Sequence, residues 1–470
     1  MDKDEQRKTT SKAKNSTDAF QEGVKYANSL NQLRGEVQVQ RDWGLTIRIT
    51  AIVASLIVGS IVGLVSLTLL FLVEYFNNIW KLSLGTSFED AVFSWNPILG
   101  LSLLVTAIVA GQILIRISDG RPRGPADLIL AAQKNQPPEL KNGFLSATLA
   151  MVSLSGGSSV GMFGPLMHFG GCFSYKVDNY IEKVLKGSKK LPLDVVLGSG
   201  AAAAIAAVFS APIGAAIFAH EAIIRRFGAF GAGPVIAAAF GAHWVAILLT
   251  GESRLFNISS GPELNLESMF IAIAIGLASA VVVITYINSV TAMPKLVNAT
   301  KIPLVWRPFI PASLLFAFSP VFPHLLGHGL WFVDIALAGQ FSLLFLLALI
   351  VFKIIFTSLC IGFGLFGGVF APALFLGVMV GAVADLLLFG NSSTSSGFAI
   401  LGAASCIGAV IGAPLAAVVI VFELTGSYDW AVLAMISVVS SQQFTRAFSG
   451  RSLFDKQLLL RGIKIGDDHK

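Results

Sequence analysis

The chemistry this chain can offer lies first in its backbone. Two short stretches, Gly161-Met162-Phe163-Gly164-Pro165 and Gly368-Val369-Phe370-Ala371-Pro372, put glycine before proline inside otherwise apolar segments. Glycine relaxes the turn and proline loses nothing at the first helical position, so the spacing predicts helices beginning near Pro165 and Pro372. Each start leaves backbone N–H groups unpaired and presents the positive end of the helix dipole. Two starts aimed at one point form an anion site with no Lys or Arg. Partial charges bind an ion and release it, whereas full charges would trap it.

The ionisable side chains are fewer. Glu221 follows Ala211-Pro212, and Glu423 follows Ala413-Pro414, each nine residues after its proline. His220 and Glu221 form a candidate proton relay, because ionisable groups within apolar segments are functional suspects. Arg225 and Arg226 come one turn later and argue instead for a salt-bridged cytoplasmic helix end. His168, three residues after Pro165, either faces the pathway or satisfies a backbone group, and the structural role is expected. Arg121 and Arg123 either draw anions to an inner mouth or only set topology. Lys353, within "LLALIVFKIIFTSL", either raises the potential for anions or snorkels to an edge. Cys172, Cys360 and Cys406 are odd in number, lack metal-ligand spacing and are expected to pack. No H-E-x-x-H or G-x-S-x-G arrangement supports an enzyme, and no cofactor or metal is expected.

The elements that must position these residues are membrane helices. The 470 residues are 54% hydrophobic and 13% charged, with a mean hydropathy of +0.75, outside the range of soluble domains. Long apolar runs at Thr46 to Tyr75, Pro97 to Ile117, Glu267 to Ile287, Phe341 to Phe363 and around Ala431 to Val439 predict spanning helices. The strict alternation of a β-barrel is missing. Residues 1–45 are polar without an apolar signal region and read as a cytoplasmic tail, and residues 463–470 as a second one. Basic clusters near the C-terminus and at Arg116 to Arg123 point to both termini lying on the cytoplasmic side of the cell membrane. The net charge of +6 is then topology bias rather than a nucleic-acid footprint.

Gly- and Pro-broken segments occur in pairs, Gly161–Pro165 with Gly368–Pro372 and Pro212…Glu221 with Pro414…Glu423, in the same order. This predicts a two-fold repeat, about 46–250 and 265–462. Broken helices at membrane depth line protein or water, and paired ones mark a transport site.

These residues resemble the CLC chloride channels and proton-coupled chloride exchangers. The family's G-x-F-x-P signature stands as Gly368 to Pro372, preceded by "FKIIFTSLCIGFGLFG" and followed by "APLAAVVIVFELTG"; "GHGLWFVDIALAGQ" is also similar. The resemblance runs from about Trp43 to Leu460. It implies an all-α polytopic fold of about eighteen broken and tilted helices in inverted repeats, a homodimer with one pore per subunit, embedded in lipid. It also implies anion contacts to the amides of Val369, Phe370 and Ala371 at a central site and of Met162, Phe163 and Gly164 at an outer one, with chloride or a similar monovalent anion bound.

The departures from the family pattern bear on mechanism. In the first-repeat motif G-K/R-E-G-P-x-x-H, the chain keeps Gly161, Gly164, Pro165 and His168 but has Phe163 for the gating glutamate. The inner proton-accepting glutamate falls on Ala222, the central tyrosine on Phe454 and, in the aligned "RPRGP", the serine on Pro122. Phe163 carries no proton and no charge, so proton coupling is expected to be absent and the chain to act as a passive anion channel or uniporter. Phe163 has three roles open to it: an apolar block, a ring-edge contact to the anion, or packing aside from an open pore. The alternatives are an anion/proton exchanger using His220 or Glu221 and a non-conducting membrane scaffold. Pro122 and Phe454 point toward an anion larger or less hydrated than chloride.

Overall fold

The computed structural model describes residues 45–81, 95–184, 191–251, 264–329, 341–390 and 397–463. The two expected tails, except for Leu45 and Ile463, and most of "GHGLWFVDIALAGQ" lie outside them. The chain divides into a unit of Met1–Ala51 with Gly187–Lys189, in which Leu45–Ala51 is described, and a larger one of Ile52–Lys186 with Lys190–Lys470. The site lies wholly in the larger unit.

The described residues form sixteen α-helices. In the first half they are α1 Leu45–Lys81, α2 Pro97–Leu114, α3 Pro125–Gln133, α4 Leu140–Ser155, α5 Phe163–Val184, α6 Leu193–Phe209, α7 Pro212–Phe218 and α8 Ala229–Thr250. A π-helical turn, Ala219–Ile224, prolongs α7. The second half holds α9 Leu266–Ala299, α10 Phe309–Phe318, α11 Leu343–Phe363, α12 Phe370–Phe389, α13 Phe398–Ile411, α14 Pro414–Thr425, α15 Tyr428–Ser449 and α16 Leu453–Leu460. Long, apolar helices at Arg48–Lys81, Pro97–Leu114, Leu266–Ala299 and Leu343–Phe363 coincide with four expected spans. Gly231–Thr250 and Phe370–Leu388 are long and apolar enough as well, although the sequence reading treated the second as a broken segment.

Local signals explain the boundaries. Asn96 accepts hydrogen bonds from the Ile98 and Leu99 amides, and Pro97 fills the first position of α2. Pro212 and Pro414 likewise open α7 and α14. By contrast, α5 and α12 begin at Phe163 and Phe370, two residues before the expected prolines. Proline is tolerated there because the first four helical N–H groups have no intrahelical acceptor.

Close helix contacts recur between the halves. Gly170 on α5 faces the Gly200 carbonyl on α6, and Gly377 on α12 faces the Gly402 carbonyl on α13, with no room for a Cβ at either. Gly170 follows Phe163 by as many residues as Gly377 follows Phe370. Such small-residue contacts let membrane helices approach and gain dispersion energy where no hydrophobic drive separates protein from lipid.

The paired glutamates exchange caps. Glu221 accepts from the Leu415 and Ala416 amides at 3.2 and 2.9 Å. Glu423 accepts from the Ile213 and Gly214 amides at 2.9 and 2.7 Å. Each carboxylate thus satisfies orphan donors at the start of the other half's helix and sits favourably at the dipole's positive end. The expected ion pair of Glu221 with Arg225 or Arg226 is not formed: Arg225 bonds Asp455, and Arg226 bonds Asp194 at 2.8 Å. Arg225 adopts a left-handed backbone (φ 60) that ends the π turn and carries both guanidinium groups away from Glu221.

Replacing Glu423 with Ala leaves two amides uncapped and is expected to cost about 1–3 kcal/mol, with Glu423→Gln costing less. Thermal melting in detergent checks this: Glu221→Ala should give a comparable drop, and unchanged melting in both variants would refute the capping role.

Candidate functional site

The two motif loops meet directly. Gly161 and Gly368 exchange backbone hydrogen bonds, Gly161 N–H to Gly368 O at 2.8 Å and Gly368 N–H to Gly161 O at 2.5 Å, as an isolated antiparallel bridge. The bridge consumes one amide from each loop. Those of Met162, Phe163 and Gly164 at the start of α5, and of Val369, Phe370 and Ala371 at the start of α12, have no protein acceptor among the described residues. The two starts are also close. A Cβ built on Gly368 would lie 2.9 Å from the Gly164 nitrogen and 3.4 Å from that of Phe163; one on Gly161 would lie 3.1 Å from Gly368 O and 3.4 Å from the Ala371 nitrogen. Glycine is therefore required on both sides for the helix starts to abut.

A side chain the sequence reading did not single out fixes this arrangement. The Tyr286 hydroxyl, fully buried on α9, donates to the Val369 carbonyl at 3.1 Å. That carbonyl belongs to the same planar peptide as the Phe370 N–H, so holding one end orients the other. The only sequence signal was a lone tyrosine in an apolar span, with nothing local to link it to a loop 83 residues away.

Phe163 is buried in a three-ring cluster. Its centroid lies 4.5 Å from that of Phe209 and 5.6 Å from that of Phe370, both edge-on, and the Phe209 and Phe370 centroids are 4.8 Å apart. Edge-on aromatic pairs at such distances are favourable beyond area burial. Phe163 thus packs against both a ring of the second-repeat motif and Phe209 at the end of α6. Phe209 also escaped the sequence reading; its signal was its place just before the Ser210-Ala211-Pro212 break, where Ser210 takes a left-handed conformation (φ 51).

A cavity of about 640 Å³ ends at the second-repeat loop. It is lined by Gly368, Val369, Pro122 and Phe454, which places the two aligned substitution positions beside the α12 start. Its charges divide into two groups. Arg121 pairs with Asp127 at 2.8 Å, Arg123 with Asp119 at 3.0 Å, and Arg461 with Asp127 at 3.0 Å. Arg121 and Arg123, considered from sequence as anion attractors, are largely neutralised by these neighbours. Lys295 and Arg307 also line the cavity and have no carboxylate partner among the described residues; Arg307 bonds the Ile302 carbonyl at 2.9 Å and Asn298 at 2.8 Å. Three arginines share two carboxylates, so the cavity keeps a net positive charge to which Lys295 and Arg307 contribute unpaired.

The relay candidates lie elsewhere. A second cavity, about 400 Å³, holds His220, Glu221, Ala222, Arg225, Arg446 and Asp455. His220 Nδ1 lies 3.0 Å from the Arg226 carbonyl and the ring stacks on Phe227. Both Glu221 oxygens are occupied by the α14 amides. His168 is buried with Nδ1 3.7 Å from the Cys172 sulfur, a packing position. All three cysteines are free and buried. Lys353 is fully buried, which removes the snorkelling alternative of the two considered: carbonyls of Leu325 and Gly327 hold its ammonium inside the protein at 3.2 and 3.1 Å.

Gly368→Ala sets its new methyl group against the Gly164 nitrogen. Near-complete loss of well-folded protein, or a Tm lowered by several degrees in what remains, is expected from separating the bridge. Native-like melting would refute the contact.

Comparison with known proteins accords with this arrangement. A family model described as voltage gated chloride channel matches residues 106–446. An uncharacterised protein of Methanocaldococcus jannaschii is 27% identical over 395 residues, 84% of this chain and 92% of that protein. The H(+)/Cl(-) exchange transporter ClcA of Vibrio campbellii is 26% identical over 324 residues, 67% of this chain and 68% of its own length. Among solved structures, a slow cyanobacterial Cl-/H+ antiporter superposes with a TM-score of 0.72 at 20% identity, over 88% of this chain and 97% of that one. A CLC-type fluoride/proton antiporter gives 0.73 at 20% identity, over 88% and 99%. These likenesses show a shared fold, and the family match, which spans most of the chain, shows that the protein belongs to the voltage gated chloride channel, or CLC, family.

Proposed function

We propose that the protein carries a monovalent anion, chloride or a less hydrated relative, passively across the cell membrane and without coupling to protons. The observation that carries this reading is Phe163: an uncharged ring, locked against Phe209 and Phe370, stands where the family's exchangers place a titratable carboxylate beside the amides. Coupled exchange needs a group that competes with the anion when charged and moves a proton when neutral, and a phenyl ring does neither. Six amides without protein acceptors supply partial positive charge for the ion. The three rings act as an apolar constriction between the amides of α5 and those of α12, opened by rotation of Phe163 and closed by dewetting. Pro122 and Phe454 leave the inner side of the site without the family's hydroxyl donors, which lowers its preference for a strongly hydrated ion. The homodimer with one pore per subunit, and both termini on the cytoplasmic side, belong to the same reading.

The second reading is proton-coupled exchange, favoured by the exchanger names of ClcA and the antiporter structures. Its candidate groups here are His220 and Glu221, of which Glu221 is engaged as a helix cap.

Flux from proteoliposomes separates the readings. Loaded with chloride and given valinomycin with potassium, the protein is expected to release the anion while no proton moves against its gradient. Uphill proton movement driven by chloride would overturn the passive reading, and absence of flux for chloride, nitrate and thiocyanate alike would favour a scaffold.

Cavity charge gives another test. Lys295→Gln or Arg307→Gln is expected to lower flux about two- to fivefold at roughly 10 mM salt, with the loss fading near 300 mM as screening shortens the field. Arg123→Gln, which removes a charge already paired, should have a smaller effect. Equal losses for paired and unpaired cations, or losses independent of salt, would refute electrostatic recruitment.

A further inference from the structure

The anion pathway leaves Lys353 unexplained. It is fully buried, its ammonium bonds two carbonyls, and it lies 4.9 Å from the centre of the Phe375 ring. Carbonyl dipoles and a ring face offset part of its desolvation, but no carboxylate pairs with it among the described residues. A full charge in such a place is stabilised by a nearby counter-charge.

Hydroxyl groups without partners among the described residues lie on the elements packed here. Lys353, Thr357 and Cys360 fall at helical spacing on one face of α11. The Ser159 amide donates to the Cys360 sulfur, bringing the loop between α4 and α5 against that face. Its neighbour Gly157 accepts from the Gly327 amide at 3.0 Å, and Gly327 is one of the carbonyls that holds Lys353. Ser158, Ser159 and Thr357 are each fully buried, and none of their hydroxyls has a hydrogen-bond partner. A buried hydroxyl without a protein partner can be satisfied by a bound water or ion. These hydroxyls, with an ammonium that has no carboxylate partner among the described residues, present donors in excess.

We infer that Lys353, with the hydroxyls of Ser158, Ser159 and Thr357, forms a separate anion site that takes a small, dehydrated monovalent anion. The site rests on the reading of the protein as an anion carrier. The loop that supplies Ser158 and Ser159 runs directly into Gly161 and the amides of Met162, Phe163 and Gly164. An ion here would therefore lie beside the loop that leads into the paired helix starts. Hydroxyls supply donors without charge, so the single ammonium sets the affinity and the hydroxyls set the size accepted.

The test is anomalous diffraction from the full-length protein crystallised across a bromide series, with chloride competition. The expected result is a saturable bromide peak within hydrogen-bonding reach of Lys353 Nζ, separate from any peak at the amides of α5 and α12. Lys353→Met should abolish that peak, leave the amide peaks and lower flux about tenfold. If Lys353→Met does not fold, the Ser159→Ala/Thr357→Val double variant serves, with weakened bromide occupancy and an altered bromide-to-chloride flux ratio expected. Bromide at the amides but not at Lys353, or ordered water alone beside it, overturns this site while leaving the proposed function intact. Bromide at neither place overturns both, and bromide at Lys353 alone supports this site against the paired-helix pathway.

Discussion

Everything in the centre of this protein depends on two hydrogen bonds between backbones. Gly161 and Gly368 pair across the halves, and that pairing sets the starts of α5 and α12 against each other. Non-helical backbone at membrane depth is tolerated only where protein or a polar cavity satisfies it. Here the bridge satisfies one amide and one carbonyl in each loop and leaves three amides on either side facing no protein acceptor. An anion between them would receive donors already oriented, with the Val369–Phe370 peptide further held by Tyr286.

The surrounding structure keeps that bridge in register. Gly170 against Gly200 and Gly377 against Gly402 bring α5 onto α6 and α12 onto α13 at backbone distance. Glu221 and Glu423 tie the start of each short helix to a carboxylate from the opposite half. The same amide chemistry thus serves two ends: where a glutamate reaches a helix start the amides are used for stability, and where glycine loops and phenylalanines surround it they stay free for an ion.

Charge is distributed by the same logic. The described side chains at the bridge itself carry no full charge. In the larger cavity Asp119 and Asp127 offset two of the three charges of Arg121, Arg123 and Arg461, while Lys295 and Arg307 have no carboxylate partner among the described residues. On the proposed function, Phe163, Phe209 and Phe370 would place an apolar step in the ion's route. In the proposed passive mechanism that step replaces a titratable gate with a steric one, since a phenyl ring can move aside but has no proton to exchange.

The sequence by itself determined the membrane class and the paired Gly/Pro breaks, because these follow from apolar length, backbone chemistry and local spacing; the six candidate amides are implied by the family resemblance. Residues that act at a distance were not legible. Tyr286 and Phe209 reach the site from helices far away in the chain, and the partners of Arg121, Arg225 and Glu221 depended on which helices the fold brought alongside. Helix starts were misplaced by two residues because proline is equally tolerated throughout the first turn. Local sequence fixes where the backbone must break and which amides that break exposes; tertiary packing alone decides which charges cancel and which rings close the path, since both depend on contacts between segments that share no local pattern.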